Sequence, residues 1–190
     1  MKLILTHNQR AAMVGDLVAG WFQRGDRVLN LGVGEGYITR HLQTLGCRVT
    51  PVDVRDTSRF PEITPILYDG LHLPFAASSF EVCLLSTVLH HTPQPELVIN
   101  EAMRVAQRLI IIEDIYRTRV GRWVVIASCS LANKQFHNHP HTNKSDTGWR
   151  STFTRLGLTL LTARYLRIFF VVYPIFHGAY LVERLHSIPA

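Results

Sequence analysis

The stretch "VLNLGVGEGYITRHL", residues 28–42, carries a short apolar run broken only by Asn30 straight into three glycines at alternate positions, Gly32, Gly34 and Gly36. A strand that ends in bare backbone and turns into a helix lets a ligand lie against the main chain. No Cβ intervenes, and the first turn of the helix offers N–H groups that have no partner within it. The stretch reads as a nucleotide-type binding turn. Asp53 follows Gly32 by 21 residues, at the expected end of the next strand, where a carboxylate accepts both hydroxyls of a ribose.

Outward from this turn, apolar runs alternate with amphipathic segments, the pattern of an α/β chain with a largely parallel sheet. Residues 8–22 place Ala12, Met13, Leu17, Val18 and Trp21 at helical spacing, and Gly25-Asp26 ends that helix. Strand one is expected at 28–31, a helix at 37–45 and strand two at 48–54. Pro51 has no N–H to give a ladder, so one side of strand two must lack a partner there. A short third strand is expected at 66–68, strand four at 81–85, a helix at 95–105 and a fully buried fifth strand in "RLIIIED", residues 108–114. Residues 115–147 have the length and placement of a lid, with a helix near 121–131 and a polar loop after it. Asp146 or Ser145 is placed to cap a helix through 149–156, and two final strands are expected near 158–168 and 178–184.

The 190 residues are 47% hydrophobic, enough for one globular domain with a sizeable core. Cys47, Cys83 and Cys129 stand far apart with no CxxC pair, which argues against a disulfide framework or a zinc finger and suits a reducing, cytoplasmic setting. The first ten residues have an apolar run too short for a signal-peptide core, and residues 168–182, interrupted by Pro174 and His177, fall short of the ~20 a membrane span needs. The net charge of +6 comes wholly from residues 96–190, with twelve basic against six acidic side chains. Only Arg117, Arg119 and Arg122 cluster tightly. They lack the dense, aromatic-interleaved character of a nucleic-acid surface, so no nucleic acid is expected as a partner.

Two cofactors use a turn of this kind, a dinucleotide and S-adenosylmethionine. A dinucleotide seats a pyrophosphate on the helix and favours GxGxxG, whereas this chain has GxGxG with Glu35 between the last two glycines. Glu35 would repel a pyrophosphate, while the ammonium of a methionine moiety tolerates it. A nicotinamide-dependent oxidoreductase is accordingly the disfavoured alternative.

From residue 26 to about 115 the sequence resembles the class I S-adenosylmethionine-dependent methyltransferases, especially the branch called methyltransferase type 11. "RVLNLGVGEG" (27–36) is similar to the family's first motif, and "VTPVDV" (49–54) to its ribose-binding acidic motif. "YDGLHLPFAASSFEVCLLSTVLHHTPQPELVINEAMRV" (68–105) is similar to its long third block, and "NKSDTGWRSTFTRLGLTLL" (143–161) more weakly to its tryptophan-bearing helix. The resemblance implies a Rossmann-like, seven-stranded, mostly parallel sheet with the last strand antiparallel and helices on both faces. It implies S-adenosylmethionine held by Asn30, Gly32, Gly34, Glu35, Gly36, Asp53 and Val54, with Asp69 accepting from the adenine amine, Gly70 and Leu71 bordering the ring, and Ser86 beside the cofactor where strand four ends. The expected activity is methyl transfer to a small, partly apolar acceptor under the lid.

The departures are as specific as the matches. Asn30 stands where the family has Asp or Glu, so it has no charge to offer the methionine ammonium. Val33 replaces a customary cysteine, and "AQRLIII" lacks the usual Gly-Gly turn. Asn30 keeps open a catalytically silent binding protein on the same fold. In-line methyl displacement draws much of its acceleration from alignment, and where a base is needed His90 and His91, just past strand four, are the candidates. Glu113 and Asp114 are placed to contact substrate or the lid's arginines, and Trp123, Val124, Val125 and Ile126 with Phe169 and Phe170 to line an acceptor pocket. His137, His139 and His141 alternate along the lid loop, but Pro140 and the Asn, Thr and Lys around them favour a solvent loop, and no metal site is expected there.

Overall fold

The computed structural model describes residues 7–133, 140, 142–170 and 173–184. Its seven strands are β1 (Arg27–Leu31), β2 (Arg48–Asp53), β3 (Ile66–Leu67), β4 (Phe80–Ser86), β5 (Ala106–Ile115), β6 (Leu158–Phe170) and β7 (Tyr173–Arg184). The helices are α1 (His7–Val18), α2 (Tyr37–Thr44), α3 (Pro95–Val105), α4 (Arg119–Asn133) and α5 (Asp146–Arg155). One sheet holds every strand in the order β3-β2-β1-β4-β5-β7-β6. β1 to β5 pair in parallel, and β7 runs antiparallel to both β5 and β6. The Rossmann-like sheet, with its one reversed strand, is the architecture expected.

The central strands are apolar because they are covered on both faces. On one face α3 and α5 pack Val98, Ile99, Ala102, Met103, Trp149 and Phe153 against Leu29, Leu31, Cys83, Leu85, Leu109 and Ile111. On the other, Val14, Val18 and Leu42 of α1 and α2 cover Val28, Val82, Leu84, Ile110 and Ile112. α1 is rotated from its expected phase. Val14 is buried and Met13 half exposed, since Ala11, Val14 and Val18 form an i, i+3, i+7 stripe.

Pro51 pairs with Asn30 of β1, while the β3 ladder begins only at Val52. The side without an N–H is thus the side without a partner, as its ring requires. α5 starts three residues earlier than expected, with Ser145 as its cap: the Ser145 hydroxyl accepts from the Gly148 N–H at 3.1 Å. Asp146 serves instead as a hub for Arg150, Tyr165 and Tyr180. β7 begins at Tyr173, five residues before its expected start, because it forms a continuous antiparallel ladder with β6 in which Pro174 faces Phe169.

The order reverses between β1 and β4. β2 and β3 follow β1 on one side, β4 and β5 on the other, and this opens a crevice at the strands' carboxyl ends where ligands bind in open α/β sheets. The glycine turn after β1, Asp53 ending β2 and Ser86 ending β4 all lie along that edge. No helix among the described residues is long and apolar enough to cross a membrane.

Candidate active site

Gly32 and Gly34 both have left-handed backbones, with φ of 82° and 55°. For Gly32 the reason is close approach, since a Cβ there would overlap the Val88 side chain from the loop after β4. At Gly34 a Cβ would meet nothing within 4 Å, which leaves backbone open on the crevice side of the turn. The Gly34 N–H donates to Asp53 Oδ2 at 2.9 Å, and Asp53 Oδ1 accepts from the Val54 N–H at 2.7 Å. Asp53 therefore spans the ends of β1 and β2. The Arg55 N–H adds a longer bond to Oδ1 at 3.4 Å; a carboxylate has about four lone-pair sites, so these three loop bonds still leave capacity on it for a sugar.

Asp69 lies alongside. The Tyr68 N–H donates to the Asp53 carbonyl at 3.2 Å, and a Cβ on Gly70 would sit 3.5 Å from Val54. Asp69 Oδ1 accepts from the Leu71 and His72 N–H groups at 2.7 Å each, and Oδ2 meets His72 Nδ1 at 2.8 Å. These bonds hold its carboxyl down at about 2. Burial, with Asp53 nearby, pushes the Tyr68 phenol up to about 12. Val54 and Leu71 are 54% and 40% exposed, two apolar side chains in solvent on adjoining loops, which suits the faces of a flat ring.

Asn30 is buried on β1. Its Nδ2 donates to Thr39 Oγ1 of α2 at 2.8 Å, and its Oδ1 is buried without a partner. An orphaned buried acceptor is costly unless something donates to it, and an ammonium is a donor of the right kind. Glu35 is engaged elsewhere: its carboxylate accepts from Arg59 Nε at 2.8 Å and its carbonyl from the Arg59 N–H at 3.1 Å. That ion pair offsets the charge on which the expected selection against pyrophosphate partly rested. An open turn at Gly34, an orphan acceptor at Asn30 and an anchored carboxylate at Asp53 form a donor and acceptor set that fits an adenosine carrying an amino-acid end.

At the end of β4, Ser86 is followed by Thr87, whose φ of 55° places a β-branched residue in the left-handed region, a strained arrangement typical of ligand sites. The Thr87 N–H donates to the Ile112 carbonyl at 2.7 Å. A 3-10 turn, Leu89–His91, follows. Glu113 of β5, fully buried, accepts from the Val88 N–H at 3.0 Å, from the Leu89 N–H at 2.7 Å and from His90 Nδ1 at 2.5 Å. Burial opposes a charge on His90, but Glu113 and the Cys129 hydrogen bond outweigh it and raise the imidazole's pKa well above its ordinary value. His90 Nε2 is 3.4 Å from Cys129 Sγ of α4, and His91 Nε2 is 3.9 Å from the same sulfur.

Several expected contacts are different ones. Glu113 holds the loop after β4, and Asp114 pairs with Arg10 of α1 and His177 of β7, which keep its carboxyl far below the usual range despite burial. Neither contacts the lid's arginines among the described residues. Arg117 instead lies over the Phe176 ring, 4.1 Å from its centroid. Along α4, Gly121, Val125 and Cys129 form the buried stripe, at i, i+4 and i+8. Trp123 is 70% and Phe169 50% exposed, and neither is among the residues that bound the cavity at the end of β5. Val125 is: with Ile115, Tyr116, Pro174 and Phe176 it bounds that cavity of 180 Å³ at the carboxyl end of β5. The side chain of Phe170 and the residues His137, His139 and His141 lie outside the described set.

Tyr68, Thr87 and Cys129 are site residues that the sequence reading did not select. Cys129 lies 38 residues from His91 and shares no local spacing with it. The backbone of Thr87 has no signal in its residue type.

A family model described as a methyltransferase domain matches residues 29–109. An uncharacterized methyltransferase of Mycobacterium leprae is 28% identical in an alignment of 159 positions that covers 72% of this chain and 58% of that protein; the chain thus spans little more than half the length of this relative. Among solved structures, an S-adenosylmethionine-dependent methyltransferase from Methanosarcina mazei superposes with a TM-score of 0.68 at 16% identity, covering 90% of this chain and 97% of the other. The 1,6-didemethyltoxoflavin-N1-methyltransferase of Burkholderia thailandensis, solved with 1,6-didemethyltoxoflavin and S-adenosylhomocysteine, gives 0.67 at 15% identity over 94% and 78%. The glycine turn, the acidic ends of β2 and β3 and the strand order agree with these matches: residues 29–109 match the methyltransferase-domain family, and the chain has the fold of the S-adenosylmethionine-dependent methyltransferases it superposes on.

Proposed function

We propose that the chain binds S-adenosylmethionine across the carboxyl ends of β1, β2 and β4 and transfers its methyl group to a small, partly apolar acceptor. The observation that carries this reading is the 2.9 Å bond from the Gly34 N–H to Asp53, which sets a carboxylate beside open backbone at the point where the strand order reverses. In this reading Asp53 accepts from the ribose hydroxyls, Val54, Gly70 and Leu71 border the adenine, Asp69 faces its amine, Asn30 Oδ1 accepts from the methionine ammonium, and the backbone of Gly32, Gly34, Glu35, Gly36 and Ser86 walls the slot. When bound, the cofactor supplies an electrophilic methyl on a sulfonium.

The chain's own contribution is alignment. A rigid turn, anchored to both neighbouring strands, fixes the approach line of an acceptor lone pair, and that orientation supplies much of the acceleration such a displacement needs. The acceptor is assigned to the 180 Å³ cavity beneath the start of α4, whose Ile115, Val125 and Phe176 favour an apolar body, with the start of α4 and the segment before it, 115–125, as its cover. Of His90 and His91, His91 is the better candidate for accepting a proton, because Glu113 favours the protonated form of His90. The reading does not rest on them, since both nitrogens of His90 are engaged.

Calorimetric titration with S-adenosylmethionine and with NAD tests the cofactor assignment. Saturable binding of the first alone is expected; binding of NAD alone overturns it. A second reading, a binding protein without transferase activity, is favoured by the neutral Asn30. The mass of a co-purified acceptor, followed by its methylation in single turnover, separates the two.

A further inference from the structure

We propose that His90, His91 and Cys129 form a binding site for one zinc ion, which ties α4 to the turn after β4. One ligand atom from each residue, an imidazole nitrogen from either histidine and the Cys129 Sγ, lies within 4.8 Å of the other two. Tetrahedral zinc with Zn–N and Zn–S bonds of ordinary length sets sulfur and nitrogen about 3.5 Å apart, and the two sulfur–nitrogen separations here are 3.4 and 3.9 Å. Little movement is needed for a metal to enter. The ligand set of one soft thiolate and two borderline imidazoles suits zinc and excludes magnesium or calcium. Among the described residues, three side chains offer ligand atoms to one point.

The surroundings of the cluster support this assignment. A metal-bound histidine characteristically gives its other ring nitrogen to a carboxylate, which fixes its orientation. His90 Nδ1 meets Glu113 Oε2 at 2.5 Å, and Glu113 is itself held by the Val88 and Leu89 N–H groups. The imidazole that points Nε2 at the sulfur is thus braced from behind. His90 and Cys129 are 1% and 6% exposed, and His91, the half-buried member, gives an ion its way in. The proposal stands on this geometry and is independent of the methyl-transfer reading. A bound ion would occupy the imidazole lone pairs, so in the loaded protein neither histidine acts as a proton acceptor.

The test uses the tag-free full chain, stripped with a chelator and titrated with cobalt(II) as a spectroscopic stand-in for zinc. The expected result is one equivalent bound, with a thiolate-to-cobalt charge-transfer band and tetrahedral d–d bands, all reversed by zinc. Cys129→Ala should abolish the charge-transfer band and Cys47→Ser should keep it. His91→Gln, at a half-buried position and therefore the safer variant for folding, should weaken zinc binding beyond the ~10–100-fold that loss of an outer-shell partner costs. Zinc should raise the melting temperature of the parent and not of His91→Gln. Absence of a thiolate band in the parent, or equal zinc affinity in parent and His91→Gln, overturns the proposal.

Discussion

On the β1–β2–β3 side of the crevice the chain presents backbone: left-handed glycines at 32, 34, 36 and 70, N–H groups gathered by Asp53 and Asp69, and carboxylates that stay in reach of solvent. On the β4–β5–β7 side it presents buried side-chain pairs, Glu113 with His90 and Asp114 with His177 and Arg10. The first arrangement leaves a slot whose shape depends on missing side chains. The second holds a wall whose position depends on charges withdrawn from water. Substitutions on the two sides should therefore fail differently, the first chiefly in ligand affinity and the second chiefly in folding.

The largest effect is expected at Glu113. Glu113→Ala strands a buried imidazole and two N–H groups, and loss of one partner of a buried pair costs about 3–5 kcal/mol; urea unfolding reads it, and a loss under about 1 kcal/mol would break the comparison. Gly32→Ala comes next. A left-handed alanine against Val88 combines about 1–3 kcal/mol of backbone strain with a comparable overpacking cost. Adding Val88→Ala should recover only the steric part.

Asp53→Ala should lower S-adenosylmethionine affinity by about tenfold or more, since hydrogen bonds to a charged group are worth about 1.5–3 kcal/mol. Calorimetry measures this, and melting temperature should move less than for Glu113→Ala. An unchanged affinity would remove Asp53 from the site. The smallest effect is the titration of Asp69. Its folded carboxyl titrates at about 2 against an ordinary 3.8, so its stabilisation is present above the ordinary value and fades as pH falls from about 4 towards 2. A carbon-detected NMR titration should show that low midpoint, and His72→Ala should raise it, because the His72 imidazole is one of the groups that lower it.

The strands and the glycine turn were legible because their signals are local: apolar runs, alternate glycines, and a carboxylate one βαβ unit downstream. Asp53 meeting Gly34 follows from that spacing. The phase of α1 was missed because Met13 and Val14 are equally apolar in sequence, and only packing against β1 and β4 chooses between them. The pairing of Glu113 with His90 spans 23 residues, and in sequence Glu113 had the lid's arginines as equally plausible partners. Only the sheet order, which sets β5 beside β4, decides it.

One carboxylate has a consequence for how the two sides are joined. Through the Val88 N–H, Glu113 fastens β5 to the loop that rests on Gly32, while two residues farther along the same strand Ile115 bounds the cavity under α4. The glycine turn and the wall of the cavity thus share one strand, joined through a single hydrogen bond and two residues of β5.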